Sequence, residues 1–330
     1  MYILLIIMTS ITIKNYDKIP TESRLELHIK GDHINHTIVN TMRRIITSII
    51  PIYAFNKFIF STNTSIFNNN YIKLRMNNLP VLGIKTKEHI FKEQDTNKIE
   101  EDTLQDNNMM FDNLELKVDD KINSSSLDQL TMYIDTENKT SNIISVTTKD
   151  AKFYLREKNI PSPYKNNIQL IKLQPKQKIK MSCITDLNIE DKNSIYSAIT
   201  ICHFIKNKDN DYDFILESRG QLTEIKILNI MYDNIINQLD IFYNLIPDIK
   251  DMEGKISFNN MDHTLGNIIS EGLQNHQDVL FGGYNMPHPL DNKIVITYKL
   301  EKNNIRSVIK EVIDKYKKIF TDINSKIKKL

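Results

Sequence analysis

The chain has 330 residues, 40% of them hydrophobic, which suffices for two domains or one elaborated domain with a buried core. A quarter of the residues are charged and the formal net charge is only +2, which argues against a dedicated polyanion binder while leaving room for a local basic patch. Two cysteines, Cys183 and Cys202, without any CxxC pair, exclude a four-thiolate zinc or iron–sulfur site and fit a reducing compartment.

The opening run MYILLIIM is apolar but too short to span a bilayer, and it lacks the basic region and cleavage site of a signal peptide. It reads as sequence ahead of a start at Met8 or as an added edge strand. Residues 24–30, RLELHIK, alternate apolar and polar and predict a half-buried strand. After the turn GDHINHT, Asn35 or Thr37 can cap a helix whose stripe is Ile38, Met42, Ile45, Ile46 and Ile49, ended by Pro51. IYAFNKFIF then reads as a strand. From about 61 to 170, strand-like pieces (YIKLRM, LELKV, LTMYID, IISVTT) alternate with polar linkers. Within this β-rich stretch, residues 92–108 read as a mobile loop.

Residues 168–184 alternate again and predict a hairpin. SAITICHFI and DYDFILES supply two more strands, and a long helix is expected over about 221–246, stopped by Pro247. The opening plan then repeats. GKISFNN is a strand and MDHT a turn. A helix carries Leu265, Ile268, Ile269 and Leu273, and VLFGGYN and NKIVITYKL are strands. Residues 303–329 form a strongly amphipathic final helix. The repeat extends to the words at the two helix entrances, His36-Thr37-Ile38-X-Asn40 and His263-Thr264-Leu265-X-Asn267. Two related folds in one chain suggest the two partners of a dimer joined together.

Few residues suggest chemistry. Asp32, His33 and His36 are too closely spaced, with no further ligand cluster, to predict a metal site. Asp262 and His263 lack a nucleophile or partner base and read as helix-capping residues, with Thr264. Gly266 leaves room for a crossing helix, and Asn267 can bond backbone in a neighbouring loop. Arg43 and Arg44 flank the apolar stripe, where the second helix has Ser270 and Glu271. They are either a solvated face or a docking surface for an acidic or carbonyl-rich partner. Pro287, His288 and Pro289 mark a rigid turn or a partner contact. No Asp-X-Asp-X-Asp triad or Walker loop is present.

DHTLGNIISEGL followed by VLFGGYNMPHPLDNKIVITYKL resembles the smaller alpha-like subunit of cellular RNA polymerases, the archaeal L type and its eukaryotic counterparts. NTMRRIITSIIP, YIKLRMNNLPVLGI, TTKD, KLQPKQKI and ESRG resemble, more loosely, the larger D-type subunit, in family order. The resemblance touches most of the chain except roughly 90–140. It implies a fused large-plus-small alpha-like subunit of a DNA-directed RNA polymerase, as encoded by large DNA viruses. Two departures stand out. The insert has no cysteines for the metal site that some relatives carry, and Lys176 stands where relatives often have glycine.

The fold the resemblance implies is α+β, with two dimerisation units forming an intramolecular pseudo-heterodimer. The larger would comprise 19–60 with 170–247, a β-rich insert 61–169, and the smaller 248–330. Ile38, Met42, Ile45 and Ile49 would pack face to face against Leu265, Ile268, Ile269 and Leu273. The implied role is a non-catalytic assembly platform for the second-largest and largest polymerase subunits and other small ones. Arg43 and Arg44 would dock, DNA would be contacted only through the complex, and no membrane would be involved. No cofactor is expected, the catalytic magnesium belonging to another subunit. The implied location is intracellular and, for a viral source, the host cytoplasm (a replication factory) and the virion, with the host nucleus left open. The rival reading is a free DNA-binding regulator that uses the lysines of the last helix, including Lys315, Lys317, Lys318, Lys326, Lys328 and Lys329, to contact phosphate.

Overall fold

The computed structural model describes residues 9–19, 22–82, 129–156, 158–247, 249, 251–288, 293–302 and 304–329. In chain order they form β1 (Thr9–Ile19), β2 (Glu22–Gly31), α1 (His36–Ser48), β3 (Ile52–Asn63), α2 (Asn69–Asn77), β4 (Leu130–Glu137) and β5 (Ile144–Thr147). There follow β6 (Lys152–Leu155), β7 (Lys158–Ile160), β8 (Gln169–Leu173), β9 (Lys178–Asn188), β10 (Ile199–Lys208), β11 (Asp211–Ser218) and α3 (Glu224–Asn244). The chain closes with β12 (Glu253–Asn259), α4 (His263–Gln274), β13 (Val279–Asn285), β14 (Lys293–Leu300) and α5 (Ile305–Ile327). They fall into two compact units, one from Met1–Ile50 with Ala198–Leu330 and the other from Pro51–Ser197.

The first unit contains the repeat. One antiparallel sheet has the order β1-β2-β11-β10, the other β12-β14-β13. Without β1, the two sheets share one plan: a first strand, a helix, and a hairpin whose second strand pairs with the first. A long helix then follows in each, α3 after β11 and α5 after β14. The alternation in β2 has the expected consequence: Leu25, Leu27 and Ile29 are fully buried, paired across the ladder with Leu216, Phe214 and Tyr212. All ten apolar stripe residues of α5 are buried, and α5 packs against α3, α4 and β1. Each side chain of this kind contributes about 1.5–3 kcal/mol on burial. Phe242 of α3 meets Phe258 of β12 with ring centroids 4.4 Å apart.

The second unit is a five-stranded sheet, β3-β9-β4-β6-β7, with a two-stranded ladder β5-β8 and helix α2. Its core includes Phe55, Met132, Phe153, Met181 and Cys183. Burial pushes the Cys183 thiol up to about 12, so it remains a neutral core group. The unit is wider than the insert expected over 61–169, because β3 pairs along β9 and β9 along β4.

Two expectations are corrected here. YIKLRM is not a strand but most of α2. The alternation of Ile72, Leu74 and Met76 is deceptive: Leu74 is 59% exposed, whereas Ile72 and Met76, one helical turn apart, are buried. The Asn68 side chain accepts from the Tyr71 amide at 2.8 Å and caps the helix. Residues 168–184 also fail to form a hairpin, since β8 pairs with β5 while β9 lies between β3 and β4. The turn between them holds Lys176 at φ 66°, with its amide donating to the Asn138 carbonyl at 2.8 Å. Strand β1 pairs antiparallel with β2 and extends the sheet beyond the strands expected from the sequence. MYILLIIM, LELKV and the polar run 92–108 lie outside the described residues.

Candidate helix-pairing and docking site

The repeated words start two helices in the same way. Asn35 has extended backbone, and its Oδ1 accepts from the Ile38 amide at 3.0 Å, capping α1. Asp262 is likewise extended, and its Oδ1 accepts from the Thr264 amide at 2.8 Å, capping α4. In both, a short polar side chain satisfies a first-turn amide that has no partner in the helix.

Helices α1 and α4 pack together, and the bonds between them define their direction. Asn35, at the start of α1, donates through Nδ2 to Oε1 of Glu271 near the end of α4. Arg44, near the end of α1, donates through Nη2 to Oδ2 of Asp262 at 3.0 Å and through Nε to Oγ1 of Thr264 at 2.9 Å, at the start of α4. Between these, Asn267 Nδ2 lies 3.4 Å from Oγ1 of Thr37. The helices are therefore antiparallel and joined by a polar seam. The Arg44 and Asp262 side chains are 34% and 50% exposed, so this ion pair is worth no more than about 1 kcal/mol.

The apolar residues expected to line the crossing are placed as follows. Ile38, Met42, Ile45, Leu265, Ile268, Ile269 and Leu273 are all buried. Ile49 is only half-buried, because it is the C-cap of α1, and Val39 and Ile46 are buried in addition. Helix α1 packs on α3 and β10 as well as on α4, so its apolar surface is shared among three neighbours. The bonds that cross to α4 come from its Asn35–Thr37–Arg44 edge.

The structure reassigns several motif residues. Arg44, expected as a docking group with Arg43, is engaged within the chain by Asp262 and Thr264. Arg43 bonds Asn40 Oδ1 through Nε and Nη2, at 3.1 and 3.0 Å. It also bears on Cys202, whose thiol is pushed up to about 12 by burial, an effect the guanidinium partly offsets. Asn267 bonds a hydroxyl on the mate helix and not loop backbone. Gly266 does not face a crossing helix: a Cβ there would lie 2.5 Å from the Tyr284 ring of β13. The glycine at the helix crossing is Gly272, which faces Val312 and Tyr316 of α5. His263 meets Tyr284 edge-on, at 5.9 Å between centroids, with Nδ1 3.3 Å from the phenol oxygen. Its counterpart His36 meets Phe204 in the same manner at 5.9 Å. Pro287 and His288 are exposed, and Pro289 lies outside the described residues. Glu271 was visible in the sequence only as the residue opposite Arg44 in the repeat. That charge difference was the available sign of its role.

Among the described residues no group of three or more His, Cys, Asp or Glu side chains is arranged to hold a metal ion. Among the same residues no helix is long and apolar enough to cross a membrane.

Comparison with known proteins gives a consistent answer. Residues 253–326 match the family model for the RNA polymerase Rpb3/Rpb11 dimerisation domain. The chain is similar to a protein of Acanthamoeba polyphaga mimivirus named "Putative DNA directed RNA polymerase subunit R470", with 27% identity covering 89% of this chain and 87% of that one. It is 29% identical to the Dictyostelium discoideum DNA-directed RNA polymerases I and III subunit rpac1, over 54% of this chain and 48% of the relative. It is also 46% identical to the RNA polymerase II subunit rpb11 of the same organism, over 13% of this chain and 34% of the relative. The chain thus spans less than half the length of each of these two cellular relatives.

Proposed function

We propose, from this likeness to alpha-like RNA polymerase subunits, that the chain is a structural, non-catalytic subunit of a DNA-directed RNA polymerase. Its two strand–helix–hairpin–helix repeats act as an intramolecular pseudo-heterodimer, and the β-rich unit 51–197 is an insert in the first repeat. The observation that carries this reading is the strand order that the two sheets share once β1 is set aside, together with the antiparallel α1–α4 pair. An obligate pair of this kind gains from fusion, because the linker replaces encounter between subunits by a high effective concentration.

The platform would hold the second-largest and largest subunits. With Arg44 engaged by α4, Arg43 is the docking cation we assign, its guanidinium held in place by Asn40. The chain needs no cofactor in this role, and the magnesium of nucleotidyl transfer belongs to a catalytic subunit. Assembly would take place in the host cytoplasm, with packaging of the complex in the virion. The DNA-binding alternative is less well supported by the last helix. There Lys317 pairs with Asp240, Lys326 pairs with Asp322 at 2.7 Å, and Asp314 breaks the basic face.

Affinity purification of the tagged chain from its native source, followed by sizing and mass spectrometry, tests the proposal. The expected result is stoichiometric recovery of the two largest polymerase subunits, reduced by Arg43→Glu in a chain that remains folded. A chain that elutes alone overturns it.

A further inference from the structure

Each of the two helix caps serves two helices. Asn35 uses Oδ1 for its own helix and Nδ2 for Glu271 of the mate. Asp262 uses Oδ1 for its own helix and Oδ2 for Arg44 of the mate. The repeat makes these equivalent contacts, since Arg44 and Glu271 occupy the same position after their respective caps. The equivalent residues nevertheless carry opposite charge. Asp262, a carboxylate, faces the guanidinium, and the neutral Asn35 offers an amide to the carboxylate.

A pair of α4 helices from two copies in the same register would place Asp262 against Glu271 twice, with no donor between the carboxylates. Like charges so apposed disfavour the wrong partner more than the right contacts favour the correct one. A second observation points the same way. The other carboxylate oxygen of Glu271, Oε2, is buried and has no hydrogen-bond partner among the described residues. A buried acceptor left this way is a cost to stability, so Glu271 is better explained by selection among partners than by the strength of its one bond.

We propose that the α1–α4 seam is a charge-coded selector. It accepts a helix with a cation at the Arg44 position against α4 and rejects a second α4, which commits the C-terminal repeat to the N-terminal one. The inference concerns pairing alone and holds whether or not the chain joins a polymerase.

The test uses the full-length chain. Arg44→Glu is expected to lower Tm by roughly 3 °C more than Arg44→Gln. The gap should close between about 50 mM and 1 M salt, where the Debye length falls to about 3 Å. Asp262→Asn, which keeps a capping side chain and removes the charge, should restore most of the Arg44→Glu loss. Native mass spectrometry then tests rejection. The Arg44→Glu chain should stay a single chain, and adding Glu271→Arg should produce dimers that grow with concentration. Equal effects of Glu and Gln at position 44, with no rescue by Asp262→Asn, would show that Arg44 only packs and would overturn the selector. So would dimers of the Arg44→Glu chain alone, or no gain in dimers on adding Glu271→Arg. If Arg44→Glu does not fold, the salt-dependent coupling between Arg44→Gln and Asp262→Asn decides: additive effects overturn the proposal.

Discussion

Replacing Gly272 by alanine sets two known effects against each other at one atom. Alanine is the better helix former by about 1 kcal/mol, which favours the variant in the middle of α4. The added Cβ, however, would fall well inside the van der Waals contact distance of Val312 Cγ1 and 3.0 Å from Tyr316 Cε2, both on α5. Val312 is β-branched and 3% exposed, and in a helix such a side chain strongly prefers a single χ1 rotamer. Overpacking of this kind costs about 1–3 kcal/mol. The net expectation for Gly272→Ala is therefore a loss of up to about 2 kcal/mol, or a fall in Tm of up to about 8 °C for a unit of this size. Val312→Ala alone should lose about 2 kcal/mol through the removed methyls and the cavity they leave. Because the new methyl occupies that cavity, the double variant should be more stable than the sum of the single losses by at least about 1 kcal/mol. Urea unfolding of the three variants at constant m measures all of these quantities. A stabilised Gly272→Ala chain, or strictly additive losses, would refute the claim that close approach of α5 selects glycine here.

Other perturbations test other parts of the molecule. Asp213 is buried among Lys14, His28 and Asn207. Burial pushes its carboxyl up, but the hydrogen bonds from those three groups outweigh it and hold the carboxyl at about 2. Its folded pKa is below the unfolded value, so the native state binds fewer protons and the stabilisation is present above pH 4. It is lost as pH falls from about 4 to 2, on the order of 1 kcal/mol after solvent screening. Acid titration of unfolding should show this slope, and Asp213→Asn should flatten it. Lys176 holds a left-handed backbone at φ 66°, so Lys176→Gly should raise stability by about 0.5–1 kcal/mol, measured by the denaturant midpoint. Asn138 is fully buried, with its amide donating to the carbonyls of Asn142 and Leu173 and its Oδ1 accepting from Thr140. Asn138→Ala should cost about 2–3 kcal/mol by leaving those groups unpaired, seen as a lower midpoint for the unit 51–197.

Local elements are legible in the residues wherever one periodicity operates alone. The stripe of α5, the alternation of β2 and the caps Asn35 and Asp262 are short-range rules, and each is obeyed in the structure. The sequence also reveals the repeat, because helix-entrance chemistry is written in consecutive residues. Where two periods fit the same letters, as in residues 71–76, packing against the rest of the unit selects between them. Only the neighbours of Ile72, Leu74 and Met76 determine which of the three is buried. The same holds for partners distant in sequence. Nothing near Arg44 indicates that it will meet Asp262 and Thr264, and nothing near Gly272 indicates that Val312 will press against it. Those contacts depend on the crossing of α1, α4 and α5, which packing sets over the whole unit. Of the two arginines expected to dock, Arg44 forms a partly exposed ion pair with Asp262 of α4, and Arg43 is held on its own helix by Asn40.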